Sequence, residues 1–336
     1  MMGKRVCVVG AGVSGLSSAV CVQRQCPEVH VTLVADKFSP DTTSDVAGGI
    51  WEPYCLGDTP EDLIKAWSTV TWDYLLGIYN SPVAGRVGCQ LMSGVPLSDG
   101  DSPDPNYKDQ VFGYRQLTAN ELEQFPLARS GSFHTALQID VELYLAWLLA
   151  RFKSQGGRVQ QRKVHSLEEM AGQYDVVVNC TGLGSYTLVQ DTALKPVRGQ
   201  VLRMHAPWVK HFYLFLSSKA LPTYIFPGSR SLVVGGVAQE GNWNTGVDEA
   251  DHRGILQRAL SLLPSLKGVK IESDKVGLRP SRTQVRLETQ PLKMKSGITL
   301  PVVHNYGHGG AGITLHWGCA QHTARLVKEA LTTSKL

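Results

Sequence analysis

Arg5-Val-Cys-Val-Val-Gly10-Ala-Gly12-Val13-Ser14-Gly15-Leu-Ser-Ser-Ala-Val20, followed by Val31-Thr-Leu-Val-Ala-Asp36-Lys37, is the stretch that decides the fold. A β-branched apolar run leads into glycines at the first, third and sixth positions of a GxGxxG pattern, and an apolar helix-like segment follows. That order reads as strand, tight turn, helix. Gly10 permits the turn, Gly12 lets the backbone approach a diphosphate, and Gly15 lets the helix pack on the strand, so that helix-end amides face negative phosphate. Asp36 stands twenty-one residues beyond Gly15, at the end of a second apolar strand, where a carboxylate accepts hydrogen bonds from ribose hydroxyls. The combination predicts a dinucleotide-binding unit.

Working outward, 336 residues are long for one core, and two domains are expected. A hydrophobic fraction of 43% and a charged fraction of 18% describe an ordinary soluble globular chain. Net charge is only +4 and no block of five Lys or Arg occurs, so nothing points to nucleic acid. No apolar run reaches the eighteen or so residues of a membrane span, and no cleavable leader is expected. The seven cysteines are odd in number and scattered without CxxC spacing, which reads as buried free thiols in a reducing compartment. No metal-ligand cluster is expected. The final Ser334-Lys335-Leu336 has the form of a peroxisomal address, so a peroxisomal import receptor is an expected partner and the peroxisome matrix the expected location.

The middle of the chain changes period several times. Thr42-Thr43-Ser44 either caps a helix or binds phosphate, and the small residues Ala47-Gly48-Gly49 let backbone press against a flat ring system. Thr59 to Ser81 carries apolar residues at helical spacing, and Thr118-Ala-Asn-Glu121 has the form of a capping box. Val141 to Ser154 reads as a helix stopped by Gly156-Gly157, with a strand over Arg158 to Val164 and a buried strand Tyr174 to Asn179. Because ligands meet the carboxyl ends of strands in an open α/β sheet, Val164 and Thr181-Gly182 are placed beside the same nucleotide as Gly10. Alternating runs dominate from about Lys195 to Lys275, interrupted by a helix over Asp248 to Leu263. A last strand, glycine loop and helix complete the nucleotide unit. The expected division is 1–50, 140–190 and 276–336 for the nucleotide domain, with 51–139 and 191–275 for the substrate domain.

Several of these segments, in this order, resemble one family. Gly10-Ala-Gly-Val-Ser-Gly15, Thr42-Thr-Ser-Asp-Val-Ala, Val178-Asn-Cys-Thr-Gly182, Val197-Arg-Gly-Gln-Val, Gly277-Leu-Arg279-Pro-Ser-Arg282 and His304-Asn-Tyr-Gly-His-Gly-Gly310 are similar to the flavoenzymes comprising D-amino-acid oxidase and D-aspartate oxidase. The resemblance implies an α/β fold, with a discontinuous Rossmann-like FAD-binding domain and an α+β substrate domain on a mixed or antiparallel sheet. It implies FAD bound by Gly10, Gly12, Val13, Ser14, Gly15, Asp36, Lys37, Thr42, Thr43, Ser44, Gly48, Gly49, Ile50, Val164, Thr181, Gly182, Gly309, Gly310, Gly312, Ile313 and Thr314. It also implies oxidative deamination of a D-amino acid with oxygen as acceptor, Arg279 and Tyr224 holding the substrate carboxylate and the Gly310 carbonyl its amine. A homodimer is left open.

For the substrate side chain the resemblance divides. Enzymes for acidic D-amino acids carry an extra arginine after the double glycine, where Gly235-Gly236-Val237-Ala238 places Ala238. Ile50-Trp51-Glu52-Pro53-Tyr54 follows the neutral-substrate branch apart from Glu52, whose carboxylate should repel D-aspartate and favour a cation. Ile50, Glu52, Tyr54 and Ala238 are therefore the expected pocket residues, with Tyr213 or Phe215 as candidates to cover it. Neutral D-amino acids, with basic ones admitted, are the expected substrates. D-aspartate oxidase is the alternative, and a flavin-binding protein without catalysis is the alternative from another class.

Overall fold

A computed structural model describes residues 3–54 and 56–333 of the chain. Cys55 and the terminal Ser334-Lys335-Leu336 lie outside the described residues. The strands are β1 (Arg5–Val9), β2 (His30–Ala35), β3 (Cys89–Ser98), β4 (Phe112–Gln116), β5 (Ser130–Ile139), β6 (Arg158–Gln161), β7 (Val176–Asn179), β8 (Lys195–Met204), β9 (Phe212–Leu216), β10 (Thr223–Pro227), β11 (Leu232–Gly235), β12 (Gln239–Glu240), β13 (Ile271–Lys293) and β14 (Thr299–His308). The helices are α1 (Val13–Gln25), α2 (Glu61–Tyr79), α3 (Ala84–Val87), α4 (Ala119–Leu122), α5 (Val141–Ser154), α6 (Ser185–Leu188), α7 (Glu249–Leu262) and α8 (Gly312–Thr333).

All strands join one sheet in the order β4-β5-β3-β9-β10-β11-β8-β13-β14-β7-β1-β2-β6, with β12 on β8. From β14 to β6 every pairing is parallel, as expected of strands buried by helices on both faces. Apart from exposed Arg5, the residues of β1 and β7 are accordingly buried, and all of those but Asn179 are apolar. From β9 to β14 the pairings are antiparallel, and β13 serves both halves. Its Ile271–Ser281 segment pairs with β8 and its Arg286–Lys293 segment with β14, with a register shift between Ser281 and Arg286. Residue 276, at the expected division, lies inside this continuous strand.

Around the parallel half, α1 packs against α5 and α8, and α8 against α2, where the Tyr74 and Trp317 rings stack with centroids 3.5 Å apart. Over the antiparallel half, α7 starts at Asp248, whose carboxylate accepts from the Ala250 and Asp251 amides, and buries Ile255 and Ala259 against Leu202, Met204, Ile225 and Val234. The opposite face of this sheet carries Met92, Val201, Phe212, Phe226 and Val233, with Val46, Ile50 and Tyr224 packed on them. That second face looks toward the nucleotide half.

One expectation needs correction. β6 ends at Gln161 rather than Val164, because β2, its parallel neighbour, ends at Ala35 and the Ala35 carbonyl takes the Arg162 amide at 2.9 Å. The capping box at Thr118 and Glu121 forms and opens the short helix α4, as its sequence pattern predicts. The described cysteines, Cys7, Cys21, Cys26, Cys89, Cys180 and Cys319, are buried and free. No helix of the described residues is long and apolar enough to cross a membrane.

Beneath the antiparallel sheet Arg198 is 1% exposed and donates to Asp251 at 2.6 Å, to Gln239 and Gln200, and to the carbonyls of Asn244 and Gly246. Removing one member of such a pair strands the other charge, so Arg198→Ala should lower unfolding free energy by about 3–5 kcal/mol. Denaturant titration checks this, and an unchanged midpoint would show that the pair does not fix α7 to β8.

Candidate active site

The strand order turns at β1, which has β2 on one side and β7 on the other, so the crevice at the carboxyl ends of β1 and β7 is the ligand position of an open parallel sheet. Gly10 takes φ +109° there, a conformation glycine adopts without strain. Gly12 caps α1 with φ −72°, and a Cβ built on it would meet only the Ser44 hydroxyl at 3.2 Å. Val13 donates its amide to that hydroxyl at 3.1 Å. The first turn of α1, with Val13 and Gly15 buried and Ser14 half-buried, carries no acidic side chain, so the positive end of the helix is left for an anion.

The hydroxyl cluster divides its work. Thr42 bonds the Asp45 carboxylate through both its amide and its hydroxyl and so caps the 3-10 turn Thr43–Val46, Thr43 is exposed, and Ser44 faces the end of α1. Capping and ligand-facing roles therefore fall to neighbouring residues. Asp36 and Lys37 are exposed just past β2. Val164 packs beside Val9 and Val34, outside any strand. Thr181 donates to Asn179 at 2.8 Å, and Gly182 turns with φ +55°.

The second part of the site is built on the segment after Gly49. Ile139 donates to the Gly49 carbonyl and Trp51 to that of Leu137, so residues 49–51 run extended along β5 and their side chains alternate. Trp51 enters the core against Trp72, while Ile50 packs with Tyr224 and Phe226 on the inner sheet face. Thr314 clamps the Glu52 backbone from both ends, accepting from its amide at 3.0 Å and donating to its carbonyl at 2.7 Å. Next to them, Ile313 is buried in the first turn of α8, which begins at Gly312.

Arg279 lies on β13 opposite Val197, over Gly199, where a Cβ would sit 2.6 Å from its guanidinium. Its one hydrogen bond among the described residues is to the Val237 carbonyl at 3.0 Å, and it has no carboxylate partner there. Beyond the same strand, Gly309 donates to the Pro280 carbonyl, which brings Gly310 beside Arg279 and the Tyr54 ring. Ala238, exposed, adds only a methyl group next to Val237. The structure thus brings Arg279, Gly310 and Tyr54 together and packs Ile50 and Tyr224 on one cluster of the inner sheet face. Burial pushes the imidazoles of His304, His308 and His316 down to about 4, leaving them neutral near pH 7.

Register corrects the expected cover. Tyr224 pairs with Leu214, whereas Tyr213 pairs with Ile225 and packs on the outer cluster under α7, and Phe215 shares that outer parity. Leu214 therefore points inward, and neither aromatic does. Sequence reading also missed an aromatic wall. Tyr224 stacks on Phe226 at 4.9 Å between centroids, Phe226 meets Phe212 at 6.2 Å, Phe212 meets His134 at 5.2 Å, and His134 meets Tyr107 at 6.2 Å. The wall ends where the Tyr107 hydroxyl donates to Glu52 Oε1 at 2.9 Å. Burial raises the Glu52 carboxyl, against the opposing pull of that hydrogen bond. The period-2 alternation of β9 and β10 was the signal available for Phe212, Leu214 and Phe226. Tyr107 and His134 had none.

The chain matches the family described as FAD dependent oxidoreductase over residues 5–326. It is 45% identical over 329 residues to a D-aspartate oxidase of Homo sapiens, with 97% of this chain and 95% of that protein covered. It is 40% identical to a D-amino-acid oxidase of Rubrobacter xylanophilus, with 98% and 97% covered. Among solved structures, glycine oxidase from Bacillus cereus superimposes with a TM-score of 0.75 at 18% identity over 97% of this chain and 95% of that one, a likeness of fold. The chain belongs to the family of FAD-dependent oxidoreductases. The cradle fits that cofactor: Gly12 leaves open the space a side chain would fill, and the end of α1 offers amides with no acid of its own.

Gly12 has a φ and ψ any residue tolerates, so Gly12→Ala should leave the apoprotein within about 1 kcal/mol of its original stability while weakening FAD binding. Titration of apoprotein with FAD, followed by flavin fluorescence, separates the two effects. Equal FAD affinity in the variant would remove Gly12 from the diphosphate site.

Proposed function

We propose that the protein catalyses FAD-dependent oxidative deamination of D-amino acids, acting on neutral side chains, with basic ones admitted, in preference to acidic ones. The observation that carries this reading is Arg279, an inward guanidinium bonded only to a backbone carbonyl, beside Tyr224 and Gly310. A planar two-pronged donor with no protein anion is suited to an amino acid's carboxylate.

In this reading Arg279 binds the carboxylate and the Tyr224 hydroxyl donates to it, fixing the substrate Cα over the glycine loop. The Gly310 carbonyl accepts from the amine and orients its lone pair. Bound FAD would supply the redox chemistry, a two-electron oxidation at Cα with oxygen as the final acceptor and hydrogen peroxide as its product. The imino acid released then hydrolyses to a 2-oxo acid and ammonia. No protein base is required if the amine arrives neutral, and the aromatic wall keeps water from the reacting carbon.

The side-chain preference follows from what faces the far end of the space. An acidic substrate needs a second cation there, and the chain offers the methyl of Ala238 and the carboxyl of Glu52. The D-aspartate reading is favoured by one observation, the 45% identity to the human D-aspartate oxidase. Peroxide release from a panel of D-alanine, D-methionine, D-arginine, D-aspartate and D-glutamate decides between them. Acidic substrates running fastest would reverse the proposal.

Two substitutions sharpen it. Arg279→Ala should raise KM about a hundredfold while the purified protein stays yellow, since a desolvated charge partner is worth several kcal/mol. Flavin lost with KM normal would contradict the assignment. Ala238→Arg should shift the kcat/KM ratio toward D-aspartate over D-alanine, and an unshifted ratio would mean that residue 238 does not reach the side chain.

A further inference from the structure

We propose that Arg203 is a positioning residue for the cofactor. From the antiparallel sheet its guanidinium caps the turn that presents Ser44 to the first amides of α1, and in doing so it sets the affinity for FAD. The proposal rests on the placement of FAD at that end of α1.

The 3-10 turn Thr43–Val46 has only four residues, so its shape depends on what holds its two ends. Its amino end closes on itself, where the Asp45 carboxylate accepts from the Thr42 amide, the Thr42 hydroxyl and the Ser39 hydroxyl. At the other end the Ala47 amide donates to the Ser44 carbonyl at 3.1 Å, and the next carbonyl, that of Asp45, has to find a donor outside the turn. Arg203 Nη2 supplies it at 2.9 Å, from 158 residues further along the chain. A cationic donor is suited to the carbonyl end of a helical turn. Between the two caps Ser44 accepts the Val13 amide at 3.1 Å, and Val46 packs over Gly277 on β13, where a Cβ would come within 3.0 Å of it. The turn is wedged between α1 and the inner sheet face, and Arg203 holds it from the sheet side.

Arg203 is placed for this bond rather than for an ion pair. It lies on β8 opposite Val233 and Ser273, on the same face as Val201. With Asp140, Glu142, Arg230 and Lys275 it lines a cavity of about 260 Å³. Both of those acids are taken by Arg230, which donates to Asp140 at 3.0 Å and to Glu142 at 2.9 Å. Among the described residues Arg203 makes no ion pair, and the Asp45 carbonyl is its one hydrogen-bond partner. Burial works against its charge and lowers its pKa, even with Asp140 and Glu142 nearby. An apolar side chain of similar length would avoid that penalty, so the donor is what the position requires.

The bond supplies preorganisation. With the turn capped at both ends, Ser44 is in place before FAD arrives, and binding does not carry the entropy of ordering residues 43–46. Without the cap that ordering is deferred to the binding step, and affinity falls.

The test is a double-mutant cycle on FAD affinity, read by flavin fluorescence as the apoprotein is titrated. Arg203→Met keeps an apolar stem and removes the donor, and it should weaken FAD binding about tenfold or more. Ser44→Ala should weaken it as well. The two together should cost less than the product of their separate fold-changes, because both act through one turn. A guanidinium that only stabilised the sheet would give independent effects that multiply. Arg203→Lys retains a charged donor and should fall between the methionine variant and the original. The same cycle run with it decides the matter should Arg203→Met not fold. Unchanged affinity in Arg203→Met, or effects that multiply, overturns the proposal while the cradle stands. If Ser44→Ala and Gly12→Ala both leave the affinity as it was, the placement of FAD at α1 falls and this proposal with it.

Discussion

The geometry of the site depends on the register of one strand. β13 is paired to β8 through Ser281 and to β14 from Arg286, and the Gly309 amide is tied to the Pro280 carbonyl at 2.9 Å where it passes between them. Arg279 belongs to the antiparallel half and Gly310 to the loop that completes the parallel half, so this crossing sets the distance between the guanidinium and the glycine loop. A slip of one residue would turn Arg279 to the face under α7. The long two-sided pairing of β13 makes such a slip costly, since ladders on both sides would have to break together.

How the chain treats its buried charges separates scaffold from site. Arg198 is surrounded by Asp251, Gln239, Gln200 and two carbonyls, and Asp191 receives Arg282, Arg286 and Tyr306. Both are saturated, as buried ions with only a structural role must be. Arg279 has one carbonyl, and Glu52 one phenol. These two are underfilled by the same protein that satisfies the others.

Much of the nucleotide half was legible because its signals are local. GxGxxG fixes strand, turn and helix within twenty residues, and Asp36 follows from the length of one crossover. Arg279 and Gly310 were found through the resemblance of whole motifs, and the fold brings them together. What escaped was non-local. The pairing of Tyr224 with Leu214 rather than with an aromatic is a matter of register, which alternating runs specify only once the partner strand is known. Glu52 and Tyr107 are 55 residues apart and meet because the turn before β4 folds back over β5, a contact that no spacing rule contains. The end of β6 was equally hidden, since it is set by where β2 stops.

The same distinction governs what overall similarity says about substrate. The relatives at 45% and 40% identity carry different names, D-aspartate oxidase and D-amino-acid oxidase, so identity over the whole chain does not rank the two activities. Discrimination between an acidic and a basic side chain is instead an electrostatic difference at one end of the space, and a single desolvated charge there outweighs many matching positions elsewhere. In the proposed reading that end carries the Glu52 carboxyl and the Ala238 methyl, neither of which is a counter-ion for an acidic side chain.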